Sequence, residues 1–271
     1  MTILDTIQEA VITAKRCILE NLEQAKAKSG SVNPYGDKTL VLDLKAEDEI
    51  ISILQSSDVN FAILTEERGY IQSEKKPEYL ALVDPIDGSA NLARGIPLVT
   101  IGISIVPYKD IMTSDDAELS IIESVFTDEC YIAISGKGVT RNRKSVHVAN
   151  PVPMEEAIVS YDTKKTRDAT FIQNSTKTIS SLQDTRRTAS NLLDLCWTAS
   201  GFLDGMVDLR GMLPIIHLSG THMVNEAGGF VLDSEGNRFH TKLNPDVMMS
   251  FVAASNEHLA RKILNRFNGT E

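Results

Sequence analysis

Cysteine is scarce in this 271-residue chain, and the three present, Cys17, Cys130 and Cys196, are odd in number and unclustered. That excludes a disulfide framework and a cysteine-built zinc knot, and leaves thiols expected in the core. Basic residues are also short, 27 Lys and Arg against 37 Asp and Glu, for a formal net charge of −10. A nucleic-acid partner is thereby disfavoured, although a site loaded with cations can still accept an anionic substrate. No apolar run approaches the roughly 20 residues of a membrane span, so no membrane partner is expected. The segment Met1 to Lys28 carries Asp5, Glu9, Glu20 and Glu23, which is unlike a signal or transit peptide, and the default location is cytoplasmic. Internal repeats and low-complexity tracts are missing as well. What is there, 42% hydrophobic residues, suffices to bury roughly three quarters of the unfolded surface of such a chain.

The apolar residues Leu4, Ile7, Val11, Ala14, Ile18, Leu22 and Ala25 recur at three- and four-residue steps, which predicts an amphipathic helix of about 25 residues. Loop chemistry from Ser29 to Asp37 follows, then a second helix over Ala46 to Gln55. Apolar runs Phe61 to Leu64 and Tyr79 to Val83 read as buried strands, and Ile101 to Val106, Ser120 to Phe126 and Tyr131 to Ile134 as an antiparallel meander, with Lys109 to Glu118 a solvated loop. The second half alternates a strand (Ala157 to Tyr161), helices (Phe171 to Leu182, Asn191 to Phe202, Leu218 to Ala227), strands (Phe230 to Leu232, Phe251 to Ala254) and a last helix. This predicts an α+β or layered α/β fold, divided into an N-terminal half, 1–145, and a C-terminal half, 146–271.

The chemistry concentrates in Asp84-Pro85-Ile86-Asp87-Gly88-Ser89-Ala90-Asn91-Leu92, at the end of the Tyr79 to Val83 run. Two carboxylates three residues apart on a turn can face one cation. Eighteen residues upstream of Asp84, a second strand ends in Glu66-Glu67. Glu66, Asp84, Asp87 and the Ile86 carbonyl are hard oxygen donors of the kind magnesium takes, and their crowding is easiest to explain with one or two metals bound. Gly88 and Ser89 open a short helix whose free amides suit a phosphate. Cation ligands beside anion donors are what phosphate-ester hydrolysis needs.

Residues 84–91 resemble the D-P-[IL]-D-G-[TS]-x-N signature of the inositol monophosphatase family, with Glu66-Glu67 at its upstream acidic pair. Gly36-Asp37-Lys38-Thr39 and Asp43, Gly136-Lys137-Gly138 with Asn142-Arg143-Lys144, and Glu226-Ala227-Gly228-Gly229 extend the resemblance over nearly the whole chain. Asp208-Leu209-Arg210-Gly211 is more similar to archaeal members that resemble both inositol monophosphatases and fructose-1,6-bisphosphatases. The resemblance implies an α/β/α/β/α sandwich, a homodimer, and Mg²⁺-dependent hydrolysis of a small phosphorylated sugar or polyol. It also implies that Glu66, Asp84, Ile86 O and Asp87 hold metal, that Asp43 and the Ser89 hydroxyl orient the attacking water, and that Gly88 and Ser89 amides hold phosphate.

Two stretches depart from that family. Its further metal aspartate, in W-D-x-A-[AG]-G, has no counterpart in Leu213 to His222; counting from Asp208 puts His217 there, counting from Glu226 puts Ile216 there. His217 can rebuild the metal site with a changed preference, Mn²⁺ or Zn²⁺ in place of Mg²⁺, since imidazole is the softer donor. Alternatively it only packs at a helix start, and the chain binds phosphorylated ligands with little turnover. Arg186 to Asn191 stands where relatives have R-x-x-G-[ST]-A, so Ala189 and Asn191 enlarge two positions at the expected substrate pocket. Asp208 is a candidate for a sugar hydroxyl and Arg210 for a second phosphate.

Overall fold

The computed structural model describes residues 1–164 and 168–270. The chain opens with helix α1 (Ile3–Glu20), which Thr2 and Asp5 start through a reciprocal capping box. It is shorter than the periodicity predicts, because Asn21 turns its side chain back onto the Cys17 carbonyl, 2.8 Å, and the chain passes into a 3₁₀ turn, Leu22–Gln24. A small hairpin, β1 (Lys28–Val32) and β2 (Lys38–Leu40), leads into α2 (Val41–Ser56). This helix begins before Ala46 because Asp43 accepts from the Leu40 amide at 2.8 Å and caps the first turn.

The next strands are β3 (Phe61–Thr65), β4 (Gly69–Ile71) and β5 (Tyr79–Asp87), followed by the short helix α3 (Ser89–Arg94). Then come β6 (Thr100–Pro107), β7 (Leu119–Ser124), β8 (Cys130–Ile134), β9 (Gly138–Arg141) and β10 (Lys144–Val146). They form one eight-stranded sheet in the order β10-β9-β8-β7-β6-β5-β3-β4. The meander from β5 to β10 is antiparallel and β3 pairs parallel to β5. The 109–118 segment is not merely solvated: Ala117 is buried, Met112 packs on the core, and Thr113 bridges to Lys242.

The remaining elements are β11 (Ile158–Tyr161), α4 (Ala169–Ile179), β12 (Asp184–Thr185), α5 (Asn191–Ala199), β13 (Gly205–Pro214), α6 (Leu218–Glu226), β14 (Phe230–Asp233), β15 (Met248–Ala254) and α7 (Glu257–Asn268). A five-stranded sheet runs β12-β11-β13-β15-β14. Helices α1 and α2 cover one face of the large sheet, α5 and α6 lie between the sheets, and α4 and α7 cover the outer face of the small one. The layers therefore alternate helix, sheet, helix, sheet, helix, as the resemblance implies. The position 145/146 falls inside β10, the last strand of the large sheet along the chain, and the central apolar cluster draws on both sides of it, from Leu64 and Leu82 to Leu192, Ile216 and Phe251. Cys196 is buried in that cluster, whereas Cys17 and Cys130 are only partly buried. No helix of the described residues is long and apolar enough to cross a membrane.

Candidate active site

The Asp-Pro-Ile-Asp stretch does not leave the sheet at Asp84 as the sequence suggests; β5 continues to Asp87 through a bulge. Asp84 pairs with Gly102 and Asp87 with Thr100, so β5 spends one extra residue against β6. Pro85, which has no amide to give to a ladder, is tolerated at such an irregularity. The bulge turns both carboxylates toward one cleft of about 610 Å³. Gly88, at φ 100°, ends the strand, and a side chain there would press on the Leu98 carbonyl at 2.9 Å.

The carboxylates are desolvated: Asp84 is 0% exposed, Asp43 1% and Asp87 5%, while Glu66 stays partly exposed at the cleft wall. Burial, then repulsion from Glu66 and Asp87, pushes the Asp84 carboxyl well above its ordinary value. Burial and the neighbouring Glu67 do the same to Glu66. Asp84 Oδ1 accepts from the Ile86 amide at 3.1 Å, but its buried Oδ2 has no hydrogen-bond partner among the described residues. A desolvated oxygen without a partner among further carboxylates is a place for a cation. The residues present thus fit a divalent metal: Glu66, Asp84, Asp87 and the Ile86 carbonyl all offer hard oxygen.

Asp87 is held differently. Its Oδ2 accepts from the Ser190 hydroxyl at 2.6 Å, the Leu192 amide at 2.6 Å and, more weakly, the Thr100 hydroxyl at 3.3 Å. Burial would raise this carboxyl, but the facing His217 imidazole together with Ser190 and Leu192 outweighs it and holds the group below its ordinary value. These donors come from the start of α5, which packs hard against β6: a methyl group on Gly102 would overlap Leu192 Cδ1 at 2.3 Å. Asp87 therefore presents a single free oxygen, Oδ1.

His217, and not Ile216, reaches this cluster. It ends a 3₁₀ turn, Ile215–His217, that follows β13, and its Nε2 lies 3.2 Å from Asp84 Oδ2 and 3.9 Å from Asp87 Oδ1. The first distance lacks hydrogen-bond alignment and the second is too long for one. Ile216 is fully buried in the central core.

On the other side, the Ser89 hydroxyl stands 3.1 Å from Asp43 Oδ1 and 3.0 Å from the Ile86 carbonyl. With one proton it can donate to only one of these acceptors at a time. Burial raises the Asp43 carboxyl to about 7, so this group can take or give a proton near neutrality.

The cleft also has a cationic lining that was largely missed in the sequence: Lys38, Lys164 and Arg187 line it with Arg210. Arg187 is fixed by Asp162 at 2.5 Å, Asp194 at 2.8 Å and the Asn191 side-chain carbonyl at 2.9 Å. Its place in the 186–191 segment was the available signal. Arg210 lines the cleft while pairing with Asp208 at 2.5 Å and Asp162 at 2.8 Å. Asp208 corrects the sequence reading: it is fully buried, Arg210 occupies both of its oxygens, and it does not line the cleft. Ala189 and Asn191 do line it, and Ala189 keeps a left-handed backbone, φ 65°, that favours glycine.

Comparison with known proteins gives one consistent result. The inositol monophosphatase family matches residues 2–269. A fructose-1,6-bisphosphatase/inositol-1-monophosphatase of Methanothermobacter thermautotrophicus is 30% identical over 239 residues, covering 84% of this chain and 83% of that protein. A fructose-1,6-bisphosphatase of Pyrococcus furiosus is 29% identical over 235 residues, covering 86% and 85%. Among solved structures, the extragenic suppressor protein suhB from Bartonella henselae superposes with a TM-score of 0.83 at 25% identity, covering 98% of each chain.

Proposed function

The chain belongs to the inositol monophosphatase family and is a phosphatase, and from that premise we propose that it hydrolyses a small sugar or polyol monoester, inositol monophosphate or fructose 1,6-bisphosphate, with Mg²⁺ at Glu66, Asp84, Asp87 and the Ile86 carbonyl. The observation that carries this reading is the Ser89 hydroxyl within hydrogen-bond distance of both Asp43 and the Ile86 carbonyl, beside the buried carboxylates in one cleft. A bound divalent ion supplies charge neutralisation of the phosphate and acidification of water. The chain's own residues do the rest. Ser89 and Asp43 orient the attacking water, and Asp43, raised to about 7, accepts its proton. Gly88 and Ser89 amides meet the phosphate, while Lys38, Lys164, Arg187 and Arg210 supply positive charge across the cleft. Ala189 and Asn191 shape the sugar side.

A second reading, a family member that binds phosphorylated ligands with little turnover, is favoured by one observation: His217 stands where a further hard carboxylate would complete the cluster. Phosphate release from inositol 1-phosphate, fructose 1,6-bisphosphate and adenosine 3′,5′-bisphosphate, each with Mg²⁺, Mn²⁺ and Zn²⁺, separates the two. Turnover of one of the first two supports the hydrolase; retained metal-dependent phosphate binding without release on any substrate supports the second reading. Asp84→Asn should abolish metal-dependent phosphate binding, and an unchanged affinity refutes the site. A cytoplasmic homodimer completes the proposal, checked by fractionation and by sedimentation velocity.

A further inference from the structure

His217 brings a nitrogen to Asp84 and Asp87 where a further carboxylate would have brought oxygen, and that donor set governs which ion the three would share. Each offers one ligand atom, and these atoms lie within 4.8 Å of one another. All three residues are buried, at 0%, 5% and 4% exposure.

The imidazole is oriented by its backbone contact. His217 Nδ1 lies 3.2 Å from the Pro214 carbonyl. A carbonyl only accepts, so Nδ1 carries the proton, and the nitrogen facing the carboxylates is Nε2. Metal-bound histidines characteristically donate their other N–H to a backbone carbonyl in this way. Nε2 faces Asp84 Oδ2, the buried oxygen with no hydrogen-bond partner among the described residues, and Asp87 Oδ1. Asp87 has only that oxygen to give, because Ser190 and Leu192 hold the other.

Three protein donors of mixed type, one nitrogen and two single carboxylate oxygens, suit an ion that accepts imidazole and low coordination. Magnesium demands oxygen in near-octahedral array and dehydrates reluctantly. We propose that Asp84, Asp87 and His217 form a carboxylate–imidazole site that selects a borderline transition ion, zinc or cobalt, over magnesium. The all-oxygen set of Glu66, Asp84 and the Ile86 carbonyl remains a hard site beside it, so the two positions of one cleft differ in preference. This inference rests on the reading of the cluster as a cation site.

The test uses the full chain stripped with chelator and reloaded with single metals. Electron spin-echo spectra of the protein saturated with Mn²⁺, used as a spin probe that fills both positions, should show ¹⁴N modulation from a directly bound imidazole, and His217→Ala should remove it. By calorimetry, His217→Ala should weaken Zn²⁺ and Co²⁺ at least tenfold and leave Mg²⁺ unchanged, whereas His217→Asp should raise Mg²⁺ affinity and lower that for Zn²⁺. The spectrum of the unaltered protein answers the question even if the variants fold poorly. Divalent ions bound with no nitrogen modulation, or with Zn²⁺ affinity indifferent to His217→Ala, overturn this inference and leave the hard site standing. Failure of every divalent ion to bind overturns the cation reading itself, and this inference with it.

Discussion

Replacing Ser190 by alanine tests how the start of α5 serves Asp87. Its hydroxyl donates to Asp87 Oδ2 at 2.6 Å and also accepts from the Leu193 amide at 3.3 Å as the N-cap of α5. A hydrogen bond to a charged group contributes about 1.5–3 kcal/mol, and an N-cap about 0.5–2 kcal/mol. The Leu192 amide, 2.6 Å from the same oxygen, remains in the variant and softens the loss. Ser190→Ala should therefore cost about 2–4 kcal/mol of stability in metal-free buffer, measured by urea denaturation with an unchanged m-value. Metal affinity should fall about 10–100-fold, the usual effect of removing a group that orients a ligand. Ser190→Thr, which keeps the hydroxyl, should restore most of both. A Ser190→Ala protein with native stability and native metal affinity would refute the idea that this loop positions Asp87.

Other consequences are as direct. His222 is buried, its Nδ1 paired with the Ser120 hydroxyl at 2.8 Å, and burial lowers its value from 6.5 to about 4. The native state then binds fewer protons than the unfolded state between those values, so stability is full above about pH 6.5 and falls as pH drops toward 4. At 1.36 kcal/mol per unit that is about 3 kcal/mol, and His222→Gln should flatten this limb in a pH series of denaturation curves; an unchanged slope disproves it. Ala189→Gly should stabilise by about 0.5–1 kcal/mol, because relief of a left-handed alanine, about 1–2 kcal/mol, exceeds the added unfolded-state entropy of glycine. A drop in melting temperature would contradict the backbone assignment there.

Much of the site was legible because it is local. Asp84, Asp87, Gly88 and Ser89 lie in one short stretch, and Glu66 ends the neighbouring strand. A mixed fold, α+β or layered α/β, was legible from the helix periodicity and the apolar runs; the five-layer order and Asp43 came from the resemblance. What stayed hidden depends on approach between distant segments. Ser190 and Leu192 reach Asp87 across 103 and 105 residues, and no spacing rule announces that. The choice between Ile216 and His217 needed a three-residue turn to be seen in place. Asp208 looked available because a charged side chain is expected to be exposed; its capture by Arg210, two residues on, belongs to the irregular middle of β13, between Asp208 and Leu213. The early start of α2 was missed because leucine, not a polar residue, precedes it, and the capping atom comes from Asp43 inside the helix.

The ligands of the proposed cation cluster belong to different sheets: Asp84 and Asp87 end a strand of the large one, and His217 follows a strand of the small one. An ion held among them would act as a rivet where the turn Ile215–His217 packs directly on β5. At a concentration 100-fold above its dissociation constant it would add about 2.7 kcal/mol to the folded state, all of it lost if the sheets part. Without the ion the same seam carries crowded, buried carboxylates that favour its opening. Loading and unloading metal should thus show up far from chemistry, as slower or faster amide exchange along β5 and β13.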